Sequence, residues 1–363
     1  MTRRLIGLLM MVGLVVGVFG CGEDKGTNSE DRSTSEGWSP PDYSSVRITN
    51  LTGKLAGSMC LGCPLIIFDI ANNNHHQLTE DVGSDPSWSS DGERLVYVSI
   101  DTRDPGSGPA IYAADANGSN ATMLVEIGDY PALSPDDESL VFIKYDDSNQ
   151  SANLSVLNLA NREEITLAQD ALWPSWHPDG IRLAYSQMHF DDNAPDVSQF
   201  QSYVVDFTSS GSQPLVRGLT PIWSPDGQRL AFVRADPARI VEQDSENEMG
   251  TGMGSGIDLY IANADGSGEE LLCQSQQSIA SFFFGLEAIH EWSQDSQELL
   301  ITVVTNRLSD GCGEDTGTQP PEDFVSTPDC YRISDAEVHL MDIGSGTSRM
   351  VSDKIVNPAW YSE

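Results

Sequence analysis

Two groupings in this 363-residue chain have the residue types and spacing for chemistry. Cys60-Leu61-Gly62-Cys63 sets two thiols across a two-residue gap, the spacing of redox centres and of half a zinc site. No second Cys-x-x-Cys or His-x-x-x-His supplies the remaining ligands, and Pro64 after Cys63 excludes the c-type haem attachment signal. The second grouping is His290-Glu291, an imidazole beside a carboxylate, which could contact a polar or charged ligand. The other histidines, His75, His76, His177, His189 and His339, do not assemble into a recognisable metal cluster. No Gly-x-Ser-x-Gly elbow, His-Glu-x-x-His pair or phosphate-binding Gly-x-x-x-x-Gly-Lys loop occurs, so the hydrolase classes that depend on them are disfavoured.

The elements that would position these residues come from a repeat. Its copies are PSWSSDGERLVYV at 86–98, PALSPDDESLVFI at 131–143, PSWHPDGIRLAYS at 174–186, PIWSPDGQRLAFV at 221–233, HEWSQDSQELLITV at 290–303 and PAWYSE at 358–363. The hallmark positions Trp88, Leu133, Trp176, Trp223, Trp292 and Trp360 are 45, 43, 47, 69 and 68 residues apart. Spacings of about 40 to 50 residues suit four-stranded propeller blades, and the two longer steps hold insertions. Each copy reads as a hairpin: Ser-Pro-Asp-Gly suits a tight turn, and apolar residues at period two flank it. A second phrase interleaves six times, as at 66–69 (IIFD), 111–115 (IYAAD) and 338–342 (VHLMD), and runs into a polar turn and a short apolar piece.

Each unit therefore predicts four strands, and six units predict an all-β, six-bladed propeller in which every sheet packs on its neighbours. The first strand of the last unit, 357–361, would be joined by N-terminal strands at 46–51, 65–70 and 77–79, closing the ring non-covalently. His290 stands where the other five copies have proline, and Glu291 follows it on the innermost strand, so both are candidates to touch a ligand in the central channel.

Over 46–363 these phrases resemble the repeats of the TolB family, whose blades carry Pro-x-Trp-Ser-Pro-Asp-Gly and Ile-Tyr-x-x-Asp-x-Asp-Gly at comparable spacing. The resemblance implies a propeller that engages envelope proteins. TolB itself carries an α/β domain before its propeller, whereas here about 25 mostly polar residues stand between the leader and the first expected strand, so the likeness is to the propeller. Oligogalacturonate lyases carry similar repeats and use histidines with a metal, which makes a metal-dependent polysaccharide lyase or hydrolase the alternative reading. A cation- or glycan-binding sensor is a third.

Arg3 and Arg4 precede an uncharged run over 5–20, the pattern of a secretory signal and short of the about 20 residues of a spanning helix. Val18-Phe19-Gly20-Cys21 resembles the lipobox of bacterial lipoproteins, with Phe19 unusual, which implies a signal peptide at 1–20, lipidation of Cys21 and a membrane held through acyl chains. Gly22 points to the outer membrane, and 21–45, acidic and serine-rich, reads as a disordered tether. With 19 basic and 55 acidic side chains the net charge is −36, which disfavours nucleic acid and favours basic protein or peptide partners and cations such as Ca2+. Cys312 and Cys330 bracket the longest insertion and are the first disulfide candidate. Cys60 and Cys63 are the next, joined to each other or with one reaching Cys273. Insertions at about 236–256, 274–285 (with Phe282-Phe283-Phe284) and 308–334 are candidate recognition surfaces. The combined expectation is a monomeric, non-catalytic, cofactor-free, lipid-anchored binding scaffold.

Overall fold

The computed structural model describes residues 46–59, 63–80, 82–101, 108–145, 151–188, 200–207, 211–242, 253–278, 289–304 and 336–361. Cys21, Cys60, Cys312, Cys330 and Phe282 to Phe284 lie outside them. The described strands form six sheets of four antiparallel strands, the six blades of a β-propeller. Blades one to five each use four consecutive strands, beginning with the inner strands Val82–Trp88, Asp129–Leu133, Ala171–Trp176, Leu219–Trp223 and Ile289–Trp292. Blade six is composite: C-terminal Val356–Tyr361 is its inner strand, and Lys54–Ser58, Leu65–Asp69 and Asn74–Gln77 follow outward.

That closure pairs Lys54 with Tyr361, Leu55 with Trp360 and Ala56 with Ala359. Glycine is needed beside it: Gly92 sits at φ 65°, and a Cβ there would run into the ring of Tyr361. The N-terminal strands differ from the sequence expectation. Residues 46–51 form no strand, and the first strand of this stretch starts at Lys54. Val46, Ile48 and Leu51 instead pack on the cluster of Ile66, Leu340, Val351 and Trp360, and Thr49 N–H donates to the Val351 carbonyl at 3.0 Å. Apolar residues at period two were enough to suggest a strand, but these side chains cover the seam between the last two blades.

Blades are joined mainly by the hallmark tryptophans. The indole N–H of Trp88 donates to the Ala359 carbonyl at 3.1 Å, Trp176 to Ala132 at 3.2 Å and Trp292 to Ile222 at 3.1 Å, in each case reaching the preceding inner strand. Trp360 donates to the Thr52 carbonyl at 2.8 Å. Trp223 differs: its indole N–H is buried without a hydrogen-bond partner among the described residues, with the His177 ring edge-on at 4.8 Å. At the turns the serine hydroxyl donates to the aspartate two residues on, at 2.6 Å in Ser224–Asp226 and 2.7 Å in Ser293–Asp295, holding those carboxyl groups below the usual range. Where glycine is replaced by Asp137 (φ 58°), the left-handed residue ties the turn to its neighbour, accepting from Ser90 N–H at 3.0 Å and Ser90 Oγ–H at 2.7 Å.

This distinction among the tryptophans has a measurable consequence. Trp176→Phe strands the Ala132 carbonyl and loses ring volume, whereas Trp223→Phe loses volume alone. In urea unfolding, Trp176→Phe is expected to cost about 1 kcal/mol more than Trp223→Phe. Equal losses would show that the indole hydrogen bond contributes nothing to blade joining.

Candidate functional site

Each inner strand carries one more residue than the strand it pairs with at the same place in the repeat, as between Ser84 and Ser87, Asp129 and Ala132, Leu172 and Ser175, and Leu219 and Ile222. In five blades the residue just before the repeat proline takes the left-handed conformation: Asp85 (φ 48°), Tyr130 (49°), Trp173 (50°), Thr220 (47°) and Asn357 (44°). None is glycine, and a β-branched threonine or an indole is costly there, on the order of 1–3 kcal/mol each. A bulge of this kind re-aims side chains. These five residues, with Ile289 of blade five, line a cavity of about 220 Å³ on the axis.

The wall is chemically uneven. Asp85, from blade one, borders the cavity, while Asp129 of blade two is buried beside it outside the lining, and each carboxyl bears on the other. Asp129 is buried, and burial together with the Asp85 charge pushes it up to about 8. Burial also raises Asp85, although one side of it borders the cavity. Tyr145 Oη–H donates to Asp129 Oδ2 at 3.2 Å, and burial and Asp129 raise its pKa well above normal. Next round the ring, Tyr130 and Trp173 meet edge to face at 6.1 Å between centroids.

His290 and Glu291 both border this cavity. Burial pushes His290 down to about 3, so its ring is neutral at pH 7, and its Nε2 lies 2.6 Å from Thr302 Oγ1. Glu291 Oε2 accepts the Trp360 backbone N–H at 3.0 Å across the blade five to blade six junction, and burial pushes this carboxyl up to about 7. Cys63 is disulfide-bonded, and Cys273 is a thiol donating to the Gln274 carbonyl at 3.6 Å. Among the described residues no group of three or more His, Cys, Asp or Glu side chains could hold a metal ion.

Sequence reasoning missed Asp85, Asp129, Tyr130, Trp173 and Thr220. For all but Asp129 the available signal was positional: in five copies the residue before the repeat proline borders the same cavity. It was obscured because a residue before proline ordinarily reads as extended backbone.

The acid pair makes stability depend on pH in a defined direction. Asp129 holds its proton far above the unfolded value near 4, so its contribution is fully present below about pH 4 and is lost as pH rises through about 8. Asp129→Asn is expected to flatten that decline, which is up to about 1.4 kcal/mol per pH unit, and to stabilise the protein at pH 8. Thermal unfolding of both proteins from pH 5 to 9 checks this, and parallel curves would contradict a protonated pair.

A family model described as the TolB beta propeller domain matches residues 62–197. No curated protein matches the chain in sequence. Among solved structures, TolB from Acinetobacter baumannii superposes with a TM-score of 0.59 at 16% identity, covering 86% of this chain and 67% of that one. A putative TolB from Agrobacterium tumefaciens gives a TM-score of 0.53 at 16% identity, covering 88% of this chain and all of that one. The same ring also fits a structure from a nidogen/laminin complex at a TM-score of 0.52 and 8% identity, covering 85% of this chain and 99% of that one, so likeness at this level speaks to fold alone. Over 62–197 the repeats are similar to the TolB propeller family, and the architecture is a β-propeller of six blades.

Proposed function

We propose that this protein is a non-catalytic binding scaffold of the bacterial envelope, anchored through lipidated Cys21 at the outer membrane and engaging a protein or peptide at one end of its ring. The observation that carries the reading is the shape of blade four. Second strands elsewhere are short, as in Arg94–Ile100 and Arg182–Met188 with 7 residues each. Blade four instead has Arg229–Glu242 with 14 residues, paired to Met253–Asn263 with 11. Its ladder runs on past Asp236–Gly256 to Glu242–Met253, so the segment expected to be a polar loop is in part a protruding hairpin.

Connections between second and third strands leave the blades at the end opposite the Ser-Pro-Asp-Gly turns, so this hairpin extends from that rim. Loops on a rigid scaffold are where recognition concentrates, and the net charge of −36 favours a partner with a basic surface. TolB-like propellers are compatible with protein binding.

The test is affinity capture from solubilised envelopes, beside a copy whose residues 237–255 are replaced by a two-residue turn. A stoichiometric partner, lost with the hairpin and re-bound by the intact chain when purified, is the expected result. Turnover of a polysaccharide that chelator abolishes would overturn the reading. Cys21→Ser is expected to release the protein from membranes, and mass spectrometry of the mature N-terminus would show the acyl chains missing.

A further inference from the structure

We propose that the junction between blades three and four is an acid-sensitive joint of the ring, worked by His177, which loosens when that imidazole takes up a second proton. This concerns how the scaffold is regulated and holds whatever the scaffold binds.

The first observation comes from comparing the turns. Ser89, Ser134, Ser224 and Ser293 each donate to the aspartate two residues on and accept the N–H of the residue five on, the latter at 2.9 Å in all four. A hydroxyl does not titrate near neutral pH. Blade three alone places a histidine at this position, and His177 is only 5% exposed.

The second observation is where that histidine sits. Turns of other adjacent blades touch through groups with no such proton, as Ser90 Oγ–H to Asp137 at 2.7 Å and Asp226 N–H to Ser296 Oγ at 3.1 Å. Between blades three and four the Gly227 backbone hydrogen-bonds the imidazole itself. The ring lies so close that a Cβ at Gly227 would come within 3.1 Å of it, and Trp223 meets it edge-on at 4.8 Å. Blade four has little else to hold it here. The Trp223 indole N–H and the Thr220 hydroxyl, both on its inner strand, are buried without a hydrogen-bond partner among the described residues, whereas other junctions are tied by their indole N–H.

The third observation is what a second proton would meet. Nδ1 accepts the Asp179 N–H at 3.1 Å, so the neutral ring carries its proton on Nε2, the edge facing Gly227. Protonating Nδ1 sets a donor against a donor. The charged groups bearing on the ring belong to its own turn: Arg182, with Nη2 2.8 Å from Nε2, and Asp179, with Oδ2 3.1 Å from Nδ1. That carboxylate oxygen is already taken by Arg182 Nε at 2.7 Å. From blade four the ring faces Trp223 and Gly227, and the neighbouring Asp226 is occupied by Ser224 Oγ–H at 2.6 Å. An imidazolium would therefore share one carboxylate with a guanidinium in a site closed to water. Burial first, and then Arg182, hold the His177 pKa below its ordinary value, with Asp179 offsetting part of the effect. The unfolded chain thus binds the proton better, so the joint is fully held above about pH 6.5 and weakens as pH falls through the folded value.

The test is hydrogen–deuterium exchange by mass spectrometry on the full chain at pH 7.5 and pH 5.0, corrected for intrinsic exchange rates. The reporter is Leu219–Trp223, whose Thr220 N–H donates across the seam to Ser186 Oγ at 3.1 Å. Its protection is expected to fall about fivefold or more at the lower pH while Val82–Trp88 of blade one keeps its own. His177→Ser restores the residue of the other four turns, and His177→Asn keeps an acceptor for the Asp179 N–H without titrating. Each is expected to abolish the acid response, and near-ultraviolet circular dichroism reports whether each is folded. An acid response confined to the seam in the wild type and absent from either folded variant upholds the proposal. Protection in the wild type that is unchanged by acid, or that falls equally all round the ring, would overturn it without recourse to a variant. So would an acid response that persists in a folded variant.

Discussion

Ring closure is the constraint on which everything else depends. A propeller blade buries both faces only against its neighbours, so an open ring would leave two apolar sheet faces in water. Here the last junction is made by antiparallel pairing of Val356–Tyr361 with Lys54–Ser58, residues about as far apart in sequence as the described chain allows. The closing pair joins segments whose loop entropy is largest, although that cost grows only slowly with length. The surrounding contacts are correspondingly dense: Trp360 reaches back to the Thr52 carbonyl, Trp88 to Ala359, and the Tyr361 ring rests beside Trp88 at 6.4 Å. Glu291 joins the same seam by accepting the Trp360 N–H, so a carboxyl that borders the cavity also helps hold the ring shut.

Closure around an axis creates crowding at the centre, and the inner-strand bulges are the response. The extra residue in each inner strand bends the backbone, and the proline after it removes an N–H that would otherwise need a partner. Left-handed residues concentrate at that position as a result. Their strain is tolerable because the flanking tryptophan contacts and turn networks hold each strand from both sides. The channel wall is therefore a ring of unusually constrained side chains, with little reorganisation left to make on meeting a ligand.

The fold was legible because its signals were redundant. Five copies of the turn and six of the third strand, in register, made four-stranded blades and terminal closure readable from the one-letter string. What failed was local: 46–51 has the alternation of a strand but serves as a cover, and 236–256 has the composition of a loop but continues a ladder. In both cases periodicity and polarity describe the environment of side chains, and backbone pairing is decided by what lies alongside. His290 and Glu291 were legible as departures from the repeat. Asp85 and Asp129 were not, because a carboxyl–carboxyl contact joins residues 44 positions apart on different blades, and no pattern within a single copy can show it.

Comparing the copies within the chain separates scaffold from site. Positions that hold the ring keep their chemistry from blade to blade: the hallmark aromatic, and the serine and aspartate of the turn. Where one drifts, a local substitute takes over, as His177 does by accepting the Asp179 N–H at 3.1 Å in place of a serine hydroxyl. The residue before the proline obeys no such rule, being Asp, Tyr, Trp, Thr, Ile and Asn in turn. If that position served only the bulge, the cheapest solution would be glycine in every copy, since the φ it needs costs glycine nothing. Retaining six different side chains, five of them in a conformation each resists, makes sense where the side chains themselves are needed. The asymmetry of the channel, with acid and aromatic groups on one arc, threonine and isoleucine on the other and asparagine between, is information that a symmetric scaffold does not require and that a bound ligand could read.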